Sequence, residues 1–285
     1  MTAPWLSAMT APNTLVAAGG VAAVGFAAGV VGSLALLRKR PLVGDAAAHA
    51  TLAGVACGFL ATGRRDLPTL LAGAFVAALA ALGVLVLIRR FTRTRDDAAT
   101  GIVIGVSFGL GIALVSGLPR WGLAGSGGLE QFLLGHAAAI TGRDAAVLAG
   151  VSLAAVLVVA AAVKEITLVA FDAAFAAAGG WPVDWIDALV AALVAAMVVA
   201  GLPAVGTVLV TALVVIPPVA ARLWTDRVAA MLMLAGLFGL VAAVVGTLVS
   251  ATRPGLATGP LVVLSAATIF AVSLVVVPRR RQEGS

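Results

Sequence analysis

Asp45 and His49 stand four residues apart in an otherwise apolar run. On a helix that spacing puts both side chains on one face, one above the other. A carboxylate beside an imidazole is a sensible ligand pair for Zn²⁺, Mn²⁺ or Fe²⁺, and it is also a pair that can relay a proton. The plainer reading is an Asp–His hydrogen bond that orients a helix end. Counted at helical rise from Arg40, His49 lies about 14 Å along the chain, close to the middle of a bilayer. An ionisable pair at that depth is costly, so its default explanation is function.

The other polar candidates are fewer and weaker. His136 is the second histidine of two. It would complete a metal site as a third ligand, or cap a broken helix whose freed backbone groups need partners. Cys57 falls eight residues beyond His49 on roughly the same face, where a thiolate would favour zinc and a small apolar filler would need no role at all. Asp184 and Asp187 open a span, where acidic groups complement the helix dipole. Glu165 and Asp172 are expected in a cytoplasmic loop, solvated or held by a partner.

These residues must be positioned by elements that lie in lipid. Of 285 residues, 62% are hydrophobic and 11% charged, and the mean hydropathy is +1.16. A soluble domain is about 45–50% apolar and about 25% charged. The composition excludes a soluble enzyme, a disordered linker and a surface-docked module. A single cysteine excludes a disulfide framework. Lysine occurs only as Lys39 and Lys164, neither in a Gly-rich phosphate loop, so the chain offers no site for ATP phosphates. The net charge of +6 sits in short clusters between apolar runs, which reads as a topology signal and not as nucleic-acid binding. Residues 1–13 carry no basic residue, so the start does not read as a signal peptide.

The expected fold is all-α, a polytopic transmembrane bundle forming one domain over residues 1–285. A span needs roughly 20 apolar residues. Residues 14–37, 46–63, 67–88, 98–116, 145–163, 228–249 and 256–277 qualify or nearly do. Residues 188–221 are uncharged and too long for one span, so Gly201, Leu202 and Pro203 are expected to split them into two short ones. Residues 131–142 are apolar but too short to cross, which predicts a re-entrant or broken element carrying His136. The arginine clusters at 38–40, 89–95, 222–227 and 279–281 are assigned to the cytoplasm. Parity then gives eight or nine spans, nine with the N-terminus outside, and leaves Arg64 and Arg65 as dissenters. Gly101, Gly105 and Gly109 form a four-residue ladder, as do Gly25 and Gly29. Such ladders let helix backbones approach closely, within one chain or between subunits.

The stretch from Arg40 to Gly54, with Gly44, Asp45, Ala46, His49, Ala50 and Leu52 in register, resembles the signature of the metal-type ABC permease family. That pattern is close to Leu-x-Gly-Asp-Ala-x-Ser-His-Ala-x-Leu-Pro-Gly. Here Ala48 replaces the usual Ser and Ala53 the usual Pro. Residues 131–135, Phe171 and Asp172 through Ala176 to Gly179, and Val205 and Gly206 through Pro217 to Arg222 are similar to further family segments, in order along the chain.

The resemblance implies the membrane subunit of a bacterial importer for zinc, manganese or iron, in the cytoplasmic membrane. It implies two copies of this chain, a cytoplasmic ATPase and an extracytoplasmic metal-binding receptor protein. No permanently bound cofactor is expected, only the transported ion. Asp45 and His49 are the implied metal contacts, whereas His136 is not required by the family pattern. A cytoplasmic loop would dock on the ATPase: the turn holding Arg222, Asp226 and Arg227 first, the segment holding Asp172 and Gly179 second. The rival readings are a stand-alone proton-coupled transporter, for which no inverted repeat is evident, and an electron-carrying subunit with His49 and His136 as haem ligands.

Overall fold

The computed structural model describes residues 9–38, 43–63, 66–118, 140–253 and 256–283, and every regular element among them is helical. In chain order these are α1 (Pro12–Leu37), α2 (Val43–Thr62), α3 (Leu67–Phe91), α4 (Asp96–Gly117), α5 (Gly142–Phe171), α6 (Ala173–Ala178), α7 (Val183–Val205), α8 (Thr207–Trp224), α9 (Val228–Ala251) and α10 (Thr258–Glu283). Eight are long and apolar enough to cross a bilayer. The apolar part of α8, Val210–Trp224, is shorter. Counting α8 as a short span gives nine, in line with the parity of the arginine clusters.

Local signals start several helices where the sequence places them. The Asp66 carboxylate accepts from Thr69 N–H at the head of α3. Thr141 and Asp144 form a reciprocal capping box at the head of α5. The Asp172 carboxylate accepts from Phe175 N–H and starts α6. Helices run on into charged residues expected in loops. Asp96 and Asp97 fill the first turn of α4, where their charge favours the dipole. Lys164 and Glu165 belong to α5 and not to a loop. At 30 residues, α5 is about 45 Å long, which exceeds the hydrocarbon core, so its charged end projects beyond it.

The break in the long uncharged run also differs from the expected one. Pro203 is tolerated inside the last turn of α7, and the chain reverses at Gly206. Gly206 has φ +93 and ψ 161, a conformation that a side chain resists. The fold-back is tight: a Cβ at Gly201 would lie 2.2 Å from Val210 of α8. The short element expected over residues 131–142, including His136, lies outside the described residues up to 139.

Helix α1 is the axis of the bundle, in contact with α5, α7, α8 and α9. Helix α2 packs on α3, α4, α7 and α8. No hydrophobic force drives helices together in lipid, so close packing must hold them. The Gly25 and Gly29 ladder does this inside the chain. A Cβ at Gly25 would lie 2.5 Å from the Gly239 carbonyl, and one at Gly29 within contact-forbidding distance of the Ala235 carbonyl. Gly54 and Gly73 bring α2 and α3 together in the same way. The Gly101, Gly105 and Gly109 ladder of α4 does not: among the described residues nothing lies within 4 Å of a Cβ at any of the three.

Candidate functional site

Helix α2 is buried along most of its length, with Ala46, Ala47, Ala48 and Ala50 inside. Asp45 and His49 fall on its open side. Their side chains are 38% and 24% exposed, and His49 Nε2 lies 3.7 Å from Asp45 Oδ1. That separation suits an ion pair, or two ligands facing one ion, but is too long for a direct hydrogen bond. The plain reading, an Asp–His hydrogen bond orienting the helix end, is therefore absent in this conformation. Asp45 also occupies the first turn of α2, where its charge complements the helix dipole.

Phe108 of α4 stands edge-on to the His49 ring, with centroids 5.4 Å apart and planes at 85°. It restricts the imidazole on one side. Nothing in the sequence pointed to Phe108, because the contact joins two helices that pack through Gly111 against Leu52 and Ala53. The departures at Ala48 and Ala53 leave the helix intact. Ala48 is 1% exposed, and α2 continues through Ala53, where a proline would remove a backbone donor.

The helix is described from Val43, so His49 lies about 9 Å along it from its first residue. Among the described residues no group of three or more His, Cys, Asp or Glu is gathered to hold a metal. Cys57 is exposed on α2 and stays outside any such group. His136 lies outside the described residues. Among the described residues the arrangement thus brings together one carboxylate and one imidazole, open on one face of α2.

The candidate coupling residues divide into two different surfaces. Arg222 reaches Asp226 with Nη2 to Oδ1 at 3.5 Å, and Arg227 N–H donates to Thr225 Oγ1. This turn between α8 and α9 is therefore largely closed on itself. The other segment carries a helix of its own. Asp172 starts α6, Gly179 ends it, and Gly180 turns the chain with φ +81. Phe171, Phe175, Trp181 and Trp185 around α6 are all exposed. Four exposed aromatic side chains at a helix-bundle end form a surface suited to a partner.

Asp187 does more than complement the helix dipole: it accepts from Arg38 Nη2 at 2.7 Å, a partner that nothing local in the sequence indicates. Arg38 also donates to the Val169 carbonyl. One arginine so ties the C-terminal end of α1 to α5 and α7.

Residues 11–277 match the ABC 3 transport family. The manganese transport system membrane protein MntC of Bacillus subtilis (strain 168) is 42% identical over 276 residues, covering 97% of this chain and 63% of the relative. The chain thus spans under two thirds of that relative's length. The zinc transport system membrane protein TroC of Treponema pallidum (strain Nichols) is 39% identical over 257 residues, covering 90% of this chain and 86% of the relative. Among solved structures, PsaBC from Streptococcus pneumoniae in complex with Fab superposes with a TM-score of 0.85 at 30% identity, over 99% of this chain and 98% of that one.

Proposed function

The chain belongs to the ABC 3 transport family, and on that premise we propose that it is the membrane-spanning permease subunit of an ATP-driven importer for a divalent transition metal. The observation that carries this reading is the Asp45–His49 pair, open on the face of a helix that is otherwise buried. Hydrolysis of ATP belongs to a separate chain. The names of the relatives, one for manganese and one for zinc, support one of those two ions as cargo.

Asp45 offers a hard oxygen and His49 a nitrogen of intermediate softness, a mixed set that either ion accepts. Two protein ligands leave most of a coordination sphere open. Such a site binds weakly enough to release its ion, as a transport path requires. A second copy of the chain would bring a second Asp45 and His49. The glycine ladder of α4, which has no neighbour among the described residues, supports such a pairing, because α4 also carries Phe108 beside His49. The remaining partners are an extracytoplasmic receptor protein that delivers the ion and a cytoplasmic ATPase. For the ATPase contact, the exposed aromatic surface of α6, with Asp172 and Gly179 at its ends, ranks ahead of the turn holding Arg222, Asp226 and Arg227. The membrane is the bacterial cytoplasmic membrane, with the arginine clusters inside.

The test is metal uptake into proteoliposomes holding the permease, its ATPase and its receptor protein. Asp45→Ala and His49→Ala should each lower ATP-dependent uptake of manganese or zinc by about tenfold or more, since losing even an outer-shell partner of a ligand costs about that much. Normal uptake by both assembled variants would sink the site. Uptake driven by a proton gradient without the ATPase would replace the importer with a secondary transporter.

A further inference from the structure

A cavity of about 500 Å³ opens where Val43, at the head of α2, meets the C-terminal ends of α1 and α3 and the N-terminal end of α7. Among the described residues its charged lining is Arg38, Arg89, Arg90, Asp184 and Asp187. Most of this charge is already compensated. Arg38 pairs with Asp187. Arg89 Nε lies 3.3 Å from Asp96 Oδ1, close enough for an ion pair though misaligned for a hydrogen bond. Arg90 and Asp184 remain. Both are exposed, both line the cavity, and among the described residues neither has an ion-pair partner, not even the other.

Among the described residues, one unpaired cation and one unpaired anion, set apart along one cavity, complement a zwitterion. The wall above them is apolar. From Arg90 the cavity lining climbs α3 through Val86 and Leu85 to Leu82, about 12 Å at helical rise, and faces Val190 and Val194 of α7. The three helices are candidate spans; the arginine-bearing ends of α1 and α3 are assigned to the cytoplasmic side by the positive-inside rule, and the N-terminal end of α7 meets them there. A polar mouth at headgroup level beneath an apolar wall matches the two halves of a phospholipid, and basic pockets between spans at this level hold lipid phosphates.

We propose that this cavity seats a phospholipid of the cytoplasmic leaflet whose headgroup carries both a phosphodiester and a primary ammonium. Arg90 receives the phosphodiester in a charge-assisted hydrogen bond. Asp184 accepts from the ammonium. A purely anionic headgroup leaves Asp184 uncompensated, and a quaternary ammonium has no N–H for it to accept. The proposal is independent of the metal site and of the identity of the cargo.

The test uses the purified full-length protein in detergent, stripped of lipid. Binding of phosphatidylethanolamine, phosphatidylglycerol and phosphatidylcholine with matched acyl chains is read by native mass spectrometry, with water-soluble glycerophosphoethanolamine as a fourth probe. The ethanolamine lipid should bind best. Arg90→Gln should weaken it about fivefold, and Arg90→Lys should retain most of the binding. Asp184→Asn should bring the ethanolamine lipid down to the level of the glycerol lipid. Equal binding of all three lipids by the unaltered protein overturns the proposal, as does an Asp184→Asn variant that keeps the preference. Binding of glycerophosphoethanolamine as tight as that of the lipid overturns the lipid assignment in favour of a soluble phosphodiester.

Discussion

Arg38 and Asp187 are 149 positions apart in sequence, yet their side chains are only 12% and 17% exposed and meet at 2.7 Å. At the edge of a membrane such a pair is sustained by mutual compensation, since either charge alone would be poorly solvated. Asp187→Ala leaves Arg38 without its carboxylate and should destabilise the protein by about 3 kcal/mol, read as a lower thermal unfolding midpoint in detergent. The double variant Arg38→Met with Asp187→Leu should recover much of that loss. Additive losses in this cycle would mean that the two side chains do not act as a pair. Asp45 and His49 show the opposite logic. Their 3.7 Å separation and partial exposure leave both available, which is what a site for a passing ion needs.

At the scale of elements, packing in lipid turns on where backbones can touch. The two glycine ladders look alike in sequence but differ in the fold. Gly29 lies against the Ala235 carbonyl of α9, whereas Gly105 has no described neighbour within 4 Å of a Cβ. Gly29→Val should therefore destabilise the isolated chain by about 1–3 kcal/mol or more, because the obstacle is backbone and cannot rotate away. Gly105→Val should leave thermal stability of the monomer near that of the unaltered chain and, on the proposed pairing of two copies through α4, reduce the yield of cross-linked dimer. Equal destabilisation by both would show that the α4 ladder is packed within the chain. The same scale explains the misplaced break. Proline at the end of a helix costs little when its missing donor falls near the turn, so Pro203 stays helical and the reversal waits for Gly206, which alone accepts φ +93.

For the whole molecule, orientation follows from the arginine clusters. A nine-span path puts the α2–α3 connection outside and the α8–α9 turn inside. In a Cys57→Ala background, Thr62→Cys should react with a membrane-impermeant maleimide on intact cells. Asp226→Cys should react only after permeabilisation. The reverse pattern would invert the bundle. The division of faces fits this frame. The most hydropathic windows of α5 and α10 are 22% and 17% buried, against 72% for α1 and α2, so the former present apolar surface to lipid while the latter form the interior.

Composition and the spacing of apolar runs determined that the chain crosses a membrane and about how often, and the placement of arginines sets the expected side of each loop. These properties were legible because each is local: hydropathy over about 20 residues decides insertion, and charge beside a span decides its direction. The four-residue spacing of Asp45 and His49 was legible for the same reason, since one helix suffices to align them. Tertiary structure alone decided that this pair opens beside Phe108, that Arg38 finds Asp187 across the bundle, that among the described residues one glycine ladder is packed inside and the other has no neighbour, and that among them Arg90 and Asp184 share a cavity without pairing. Each of these depends on which helices become neighbours. In lipid that choice rests on close packing of backbones distant in sequence, which no single run of residues encodes.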